Sequence, residues 1–201
     1  MIHYPVFLNL RGLTVVVISD ESSLGQSAEG RIPHLLAAGA TIRQIAAMNF
    51  LPENLDGTSL VVCGTEDESL NERISRYARE RRIFCNVLDR PALCSWIAPA
   101  MVRRGPLQIA VSTGGQSPAL AVRIRDAVDR AIGPEYSTLL GMLAALRDRV
   151  RERAATPEAR AKILQAMVWG PALDLVREGR MDEARRELKV ALGTFTEGLF
   201  L

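Results

Sequence analysis

The sequence is poor in the residues that bind metal ions or hold a chain in a membrane. Its 201 residues include two histidines, His3 and His34, and three cysteines, Cys63, Cys85 and Cys94, which show no metal-ligand spacing. We therefore expect no resident metal site, and we interpret the cysteines as half-buried thiols in a reducing compartment. No apolar run approaches the length of a membrane span, and no signal peptide opens the chain. These absences predict a cytoplasmic protein without a membrane partner.

A large excess of charge of either sign is also missing. The net charge is +2, and hydrophobic and charged residues make up 48% and 24% of the chain, as in an ordinary globular protein. This balance argues against a nucleic-acid partner. Lysine is scarce, with Lys162 and Lys189 alone, so nearly all basic side chains are arginines. Arginine suits paired hydrogen bonds to carboxylates and phosphates, although codon bias in the genome would produce the same composition.

Short apolar and β-branched runs in the first hundred residues predict a parallel sheet. The first run, LTVVVI, is typical of a strand that is buried on both faces. Four strands are predicted, at residues 13–18, 41–46, 60–63 and 83–88. Helices are predicted at residues 32–38 and 69–81, and the polar segment 19–30 is predicted as a long loop. This alternation implies right-handed crossovers, so residues 1–98 are predicted to form a Rossmann-like, open α/β domain.

The pattern changes in the second half of the chain. A strand and a helix are predicted there, at residues 107–111 and 118–131. The dipeptide Gly133-Pro134 then breaks the chain, so residues 99–132 are predicted as a small α/β segment. Apolar residues at helical spacing follow, and residues 133–201 are predicted as a helical domain.

The first strand does not run into the glycine-rich loop of a dinucleotide-binding fold. In such folds, the amides of Gly-x-Gly-x-x-Gly approach the pyrophosphate at a helix N-terminus. The segment 19–25 (SDESSLG) fills none of the glycine positions and places two carboxylates near the expected phosphate. Pro33 is also expected to push Ile32 out of the helical region. The second strand ends at residues 46–49 without the acidic residue that would hold a ribose.

Two interpretations of this segment remain. Either Ser22, Ser23 and Gly25 form an unusual anion-binding loop, or the long loop folds into the groove that the cofactor would fill. The first interpretation keeps NAD as a cofactor, and the second removes it.

The segment AVSTGGQSP at residues 110–118 has the features of an anion site. A strand ends there, two adjacent glycines permit a tight or left-handed backbone, and Ser117 is suited to cap a helix that begins at Pro118. A helix N-terminus beside amides and hydroxyls favours anions. The alternative is an ordinary serine-capped turn. The candidate ligand-binding residues of this segment are Ser112, Thr113, Gly114, Gly115 and Ser117.

Asn86 and Asp89 close the fourth predicted strand, at the edge where open α/β sheets bind their ligands. The carboxylate of Asp89 is a candidate proton acceptor, and Asn86 is a candidate ligand-binding residue. A turn-forming aspartate before Arg90-Pro91 is the alternative interpretation.

These motifs resemble the dehydrogenase–ferrochelatase module of siroheme synthase, a family that converts precorrin-2 into sirohydrochlorin with NAD and then inserts ferrous iron. The shorter matches are YPVF at residues 4–7, AGA at 38–40 and TED at 65–67. The strongest matches are RIFCNV at residues 82–87, Asp89, and AVSTGG at 110–115. The resemblance covers residues 2–145.

The resemblance implies a substrate and roles for these residues. Asp89 falls on the family's catalytic aspartate, which is proposed to move protons in both reactions, and Thr113 replaces a serine in the turn that faces the tetrapyrrole. The substrate carries eight carboxylates, which would give the arginines and the helix N-terminus a ligand. The family's homodimer would be interleaved through residues 99–132. The residues that would contact NAD are Ser19, Asp20 and Thr65.

We therefore expect an enzyme of siroheme biosynthesis that acts on precorrin-2 or sirohydrochlorin, with Asp89 as the base. Metal insertion is favoured over dehydrogenation, because hydride transfer needs a bound nicotinamide. Insertion needs a held macrocycle, ferrous iron as a substrate and a base. The first alternative is a non-catalytic carrier or regulatory protein that binds a tetrapyrrole. The second is an unrelated Rossmann-like domain that binds another nucleotide.

Overall fold

A computed structural model describes residues 3–193 of the chain. These residues form two compact units, which divide the chain after Ala98. The first unit consists of residues 3–98 together with 113–117, and the second consists of 99–112 together with 118–193. The ends of the two outer predicted domains, residues 1–2 and 194–201, lie outside the described residues.

Four parallel strands form the sheet of the first unit. They are β1 (Thr14–Ser19), β2 (Thr41–Ala46), β3 (Thr58–Gly64) and β4 (Phe84–Val87), in the order β2-β1-β3-β4. The helices of this unit are α1 (Ser23–Glu29), α2 (Ile32–Ala37) and α3 (Glu68–Glu80). The Rossmann-like prediction is confirmed. Because the neighbours of β1 lie on opposite sides of it, a crevice is expected at the carboxyl ends of β1 and β3, where open α/β folds bind ligands.

Both faces of the central strands are buried, as the run of β-branched residues predicted. On one face, Val16 of β1 belongs to a cluster with Ile74 of α3. On the other face, Val17 packs in a cluster with Leu35 of α2, and the half-buried Trp96 joins it. Trp96 therefore packs on the face of the sheet that α1 and α2 cover.

The polar segment after β1 contains a short helix, so the prediction of a long loop was wrong. The hydroxyl of Ser22 accepts a hydrogen bond from the N–H of Gly25 (3.2 Å) and caps α1. The prediction that Pro33 displaces Ile32 was also wrong, because α2 begins at Ile32 with Pro33 in its first turn. Proline is tolerated there, since the amide that it replaces has no acceptor within the helix.

Helix α1 lies so close to β3 and to the loop after β1 that glycine is required at one position of each contact. A Cβ atom added to Gly64 would overlap the backbone carbonyl of Leu24, and one added to Gly25 would overlap the carbonyl of Asp20. Both obstructing groups are backbone atoms, which cannot rotate away as a side chain does. The sheet and the loop after β1 are thus held at a fixed, short separation.

We predict that Gly64→Ala lowers the free energy of unfolding by about 3 kcal/mol, because overpacking against backbone forces a shift of α1. The matched control is Gly141→Ala, at an exposed helical position where an added Cβ meets no atom within 4 Å. That control should raise stability by about 0.5–1 kcal/mol, since alanine favours helix over glycine. Urea unfolding followed by circular dichroism measures both. Equal stabilities of the two variants would contradict the close contact.

The second unit begins with an antiparallel hairpin and a helix. Strand β6 (Leu107–Val111) and helix α4 (Pro118–Ala131) agree with the prediction. Strand β5 (Ala100–Arg104) was not predicted, because its sequence AMVRR shows no clear alternation. The guanidinium of Arg104 donates to the carbonyl of Ile132 (2.9 Å) and pairs with Asp129 (2.9 Å), which ties the hairpin to the end of α4.

The remaining helices confirm the helical prediction as far as the description extends. They are α5 (Glu135–Arg153), α6 (Pro157–Trp169), α7 (Ala172–Arg177) and α8 (Met181–Gly193). Their core includes Leu139, Ile163, Met167 and Leu188. Within residues 3–193, no helix combines the length and apolar character that crossing a membrane requires.

Candidate functional site

Asp89 lies on a tight turn at the carboxyl end of β4. Its φ of 56° is a left-handed conformation, which aspartate adopts more readily than most residues. The N–H of Leu88 donates to the carbonyl of Cys63 (2.9 Å), and Arg90 forms an ion pair with Glu68 (2.7 Å). These contacts fix the turn while Asp89 itself is exposed. An exposed carboxylate on a fixed backbone is suited to exchange protons with a ligand and with water.

Asn86 precedes this turn within β4 and is 6% exposed. Its amide nitrogen donates a hydrogen bond to the carbonyl of Trp96 (3.0 Å). Its Oδ1 is buried and has no hydrogen-bond partner among residues 3–193. The atom that donates to the carbonyl of Trp96 must be the amide nitrogen of Asn86. The unpaired atom is therefore the amide oxygen, which accepts hydrogen bonds.

Arg31 lies between α1 and α2 and has a half-buried side chain. Burial lowers the pKa of its guanidinium, and the negative charge of Asp89 opposes that effect. Its NH1 nitrogen is buried and has no hydrogen-bond partner in the described part of the chain. The only sequence signal for this residue was the general excess of arginine.

The cysteines are more deeply buried than predicted. Cys63 and Cys85 are fully buried, and only Cys94 is half-buried. Burial raises the pKa of all three thiols, that of Cys85 to about 12. They are therefore neutral, unreactive thiols at physiological pH. Across residues 3–193, no group of three or more His, Cys, Asp or Glu side chains is arranged to hold a metal ion.

The bend at residues 113–117 contains two glycines with left-handed backbone. Gly114 and Gly115 have φ of 64° and 81°, and the N–H of Gln116 donates to the carbonyl of Thr113 (3.1 Å), as in a type I′ turn. The Thr113 hydroxyl accepts from the N–H of Ser117 (3.1 Å) and donates to the carbonyl of Ser117 (3.0 Å). This hydroxyl stabilises the bend. The bend belongs to the same unit as Asp89 and Asn86, whereas Ser112 belongs to the second unit.

The carboxylate of Asp20 accepts hydrogen bonds from backbone amides in the two loops that follow β1 and β3. Its carboxylate accepts hydrogen bonds from the N–H of Ser22 (3.0 Å), from the Ser22 hydroxyl and from the N–H of Glu66 (3.1 Å). Burial raises the pKa of Asp20, but these bonds and one from the Thr65 side chain outweigh it and lower the pKa to about 2. Asp20 is therefore ionised and links the two loops at the expected crevice.

The structure supports neither interpretation of the segment after β1. The segment forms α1, so it is not a loop folded into a groove. The amides of Ser22 and Gly25 are bound by Asp20 and by the hydroxyl of Ser22, so two of the three residues predicted for an anion-binding loop are engaged within the protein. Instead, the carboxylate of Asp20 is itself the anion at this position.

The other residues predicted to contact NAD are also engaged within the protein. Ser19 is 7% exposed and donates to the carboxylate of Glu29 (2.6 Å). Thr65 is 2% exposed, and its hydroxyl accepts from the N–H of Asp67 (3.1 Å). A pyrophosphate needs free amide donors and no nearby negative charge. The ionised carboxylate of Asp20 and these internal hydrogen bonds therefore disfavour a pyrophosphate at this position.

We predict that Asp20→Asn removes a pH-dependent contribution to stability. The pKa of Asp20 is depressed in the folded protein, so its contribution is present above the ordinary pKa of 3.8 and is lost as pH falls through about 2. At pH 6 the wild type should have a larger free energy of unfolding than Asp20→Asn. This difference should shrink as the pH falls from 3.8 to about 2. Urea titrations at several pH values measure it. A difference that stays constant with pH would contradict the hydrogen-bonded carboxylate.

Three family models match the chain in succession. Residues 6–100 match an NAD(P)-binding family, residues 104–131 match the central region of sirohaem biosynthesis proteins, and residues 135–192 match the sirohaem synthase dimerisation region. The dimerisation model thus covers α5 to α8, whereas the segment 99–132, predicted above to be interleaved in a dimer, largely coincides with the central region.

The chain is also similar to three siroheme synthases. It is 34% identical to that of Thioalkalivibrio sulfidiphilus, 33% to that of Methylococcus capsulatus and 35% to that of Pseudomonas fluorescens, over 95%, 94% and 92% of its length. It spans only 42–43% of those proteins. The structure of SirC, a precorrin-2 dehydrogenase, has a TM-score of 0.71 at 20% identity, covering 96% of this chain and 100% of that one. This likeness shows a shared fold.

Proposed function

The chain belongs to the siroheme synthase family, and we propose that it inserts ferrous iron into sirohydrochlorin. The observation that carries the proposal is the exposed carboxylate of Asp89, held on a fixed turn at the carboxyl edge of the sheet. The contacts of Asp20 favour insertion over dehydrogenation, because they engage two loop amides and place a negative charge near the position expected for the pyrophosphate of NAD. Insertion needs no hydride acceptor.

Insertion of the metal requires a base that accepts protons from the macrocycle. Two pyrrole N–H groups of the macrocycle lose their protons, and the four nitrogens then bind Fe²⁺ without any change in its oxidation state. The carboxylate of Asp89 accepts a pyrrole proton and returns it to water, because the side chain is exposed. Both protons leave to the solvent, so the two positive charges that Fe²⁺ brings to the macrocycle replace the two that the protons carry away.

The substrate must also be held in place by groups of the first unit. We assign the bend at residues 113–117 to this task, because a Cβ atom at Gly115 would meet no atom within 4 Å and the backbone is open to a flat ring. Asn86 belongs to the same unit, and its buried amide holds the segment around Trp96 against β4. The hydroxyl of Thr113 acts indirectly, by fixing the shape of the bend.

We also propose that the protein acts as a homodimer. The match to a sirohaem synthase dimerisation region over residues 135–192 supports this proposal. Exposed apolar side chains such as Trp169, 81% exposed, are found in that region. The interleaving of residues 99–132 stays a prediction. Light scattering of the purified chain measures the oligomeric state.

The proposed function is tested by mixing the protein with sirohydrochlorin and Fe²⁺ without oxygen and following the absorbance of the macrocycle. Insertion should be faster than in a protein-free control and should follow the protein concentration. Tight binding of the macrocycle without any faster insertion would overturn the enzyme and favour the carrier. No binding of the macrocycle would overturn both.

A further inference from the structure

A cavity of about 350 Å³ lies beside the amino end of β4, within the first unit. Its walls come from α3, from the segment 82–85 and from the chain after the turn at Asp89. Asp89 itself follows the opposite, carboxyl end of the same strand. The cavity is therefore separate from the residues assigned to iron insertion, and its volume is typical of a site for a small molecule.

Several of the residues that line this cavity are apolar. Ile83 and Cys85 are 7% and 2% exposed, and Leu93 is half-buried. Phe84 also lines the cavity but is 49% exposed, although it lies in a strand of the sheet. An apolar ligand can therefore cover aromatic surface that the protein leaves in contact with water.

A peptide strand does not fit at this edge of the sheet, because the outward side of β4 is already occupied. The N–H of Cys85 donates to the hydroxyl of Ser95 (2.8 Å), and its carbonyl accepts from the N–H groups of Ser95 (2.8 Å) and Trp96 (3.3 Å). The hydroxyl of Ser75 donates to the carbonyl of Leu93 (2.7 Å) and ties this segment to α3. Addition of a strand requires unpaired backbone groups. A small molecule is the occupant that remains.

Two exposed arginines, Arg79 of α3 and Arg82, also line the cavity. Among residues 3–193, neither guanidinium forms an ion pair or a hydrogen bond, and no acidic residue lines the cavity. Arg81, which lies between them in the sequence, instead pairs with Asp56 (3.6 Å). Two positive charges without a counter-ion favour an anion beside them, and guanidinium groups suit a carboxylate.

We propose that this cavity binds a small aromatic carboxylate. The flat apolar body of the ligand contacts Ile83, Leu93 and Phe84, and its carboxylate accepts hydrogen bonds from Arg79 and Arg82. The inference goes beyond the proposed function and does not depend on it, because none of these residues is assigned to iron insertion.

The probe for this site is 2-naphthoate, and 2-naphthylmethanol is a neutral molecule of nearly the same shape. The chain has five phenylalanines, so labelling with ¹⁵N-phenylalanine gives a simple spectrum, in which Phe84→Val identifies the amide signal of Phe84. The acid should move this signal with a dissociation constant below about 1 mM, as expected for a ligand of its size. The signal of the buried Phe50 should stay in place. The alcohol should bind about tenfold more weakly, because it lacks the charge.

Arg79→Gln and Arg82→Asn remove the two charges and keep the backbone. Glutamine is a good helix former, and asparagine accepts the left-handed φ of 58° at Arg82. Each variant should bind 2-naphthoate about three- to tenfold more weakly, since the arginines are exposed and partly screened by water. Its affinity for the alcohol should be unchanged. The matched control is Arg73→Gln, an exposed arginine of α3 that does not line the cavity.

Three results would overturn the site. The first is a Phe84 signal that stays in place at about 10 mM 2-naphthoate, ten times the expected dissociation constant. The second is equal affinity for the acid and the alcohol, which indicates an apolar surface alone. The third is equal weakening in Arg73→Gln, which indicates general attraction to a basic helix. Iron insertion should be unchanged in Arg79→Gln, so failure of either proposal leaves the other standing.

Discussion

Replacement of Asp89 by asparagine should slow iron insertion by about 10²–10⁴-fold while leaving the affinity for sirohydrochlorin within a few-fold of the wild type. Asparagine has the size of aspartate and also accepts a left-handed backbone, so the turn at φ 56° should be retained. Only the proton acceptor is lost. The rate is measured from the absorbance change of the macrocycle, and the affinity from fluorescence quenching without metal.

The choice of asparagine matters for this test. Alanine at a left-handed position costs about 1–2 kcal/mol of backbone energy, so a loss of activity in Asp89→Ala would mix chemistry with strain. The matched control is Glu72→Gln, which removes an exposed carboxylate from α3. It should insert iron at the wild-type rate. If Asp89→Asn did the same, Asp89 would not be the base and the proposed mechanism would be wrong.

The wild-type protein should bind neither NADH nor NADPH with a dissociation constant below about 1 mM. The ionised Asp20 holds the amides of Ser22 and Glu66. Its charge would repel a pyrophosphate by roughly 3 kcal/mol for each charge pair at about 5 Å. The family match over residues 6–100 places this unit in an NAD(P)-binding family, and the contacts of Asp20 are the reason for which we expect weak binding.

Isothermal titration and the fluorescence of the reduced cofactor measure this binding. The same preparation must bind sirohydrochlorin, which shows that the protein is folded and that its other site is intact. With precorrin-2 and NAD, no reduced cofactor should accumulate above the protein-free rate. Micromolar affinity for either cofactor, or formation of NADH, would contradict the role assigned to Asp20.

Much of the sheet was predictable because its pattern is local. A run such as LTVVVI suits only a strand with both faces buried, and the structure gives Thr14–Ser19 as β1. The position of Asp89 at the end of β4 followed from the same pattern, since it lies directly after a strand. Its left-handed backbone did not, because the turn depends on hydrogen bonds to Cys63 of another strand.

The contacts of the loops were not predictable because they join residues distant in the chain. The hydrogen bond from Glu66 to Asp20 spans 46 positions, and no local motif signals it. The partial burial of Arg31 was missed for the same reason, since it depends on how the chain between α1 and α2 packs in the folded protein. The helix α1 was missed because a seven-residue segment, SLGQSAE, is too short and too polar to show an apolar stripe.

The contact between α1 and β3 also bears on the history of the cofactor site. Gly25 and Gly64 bring backbone against backbone, so deleting the Asp20 carboxylate would leave the chain between β1 and α1 folded tightly on itself. Recovering a phosphate loop would then require a change of loop length as well as of residue type. A substitution of Asp20 alone is therefore not expected to create a glycine-rich phosphate loop in this chain.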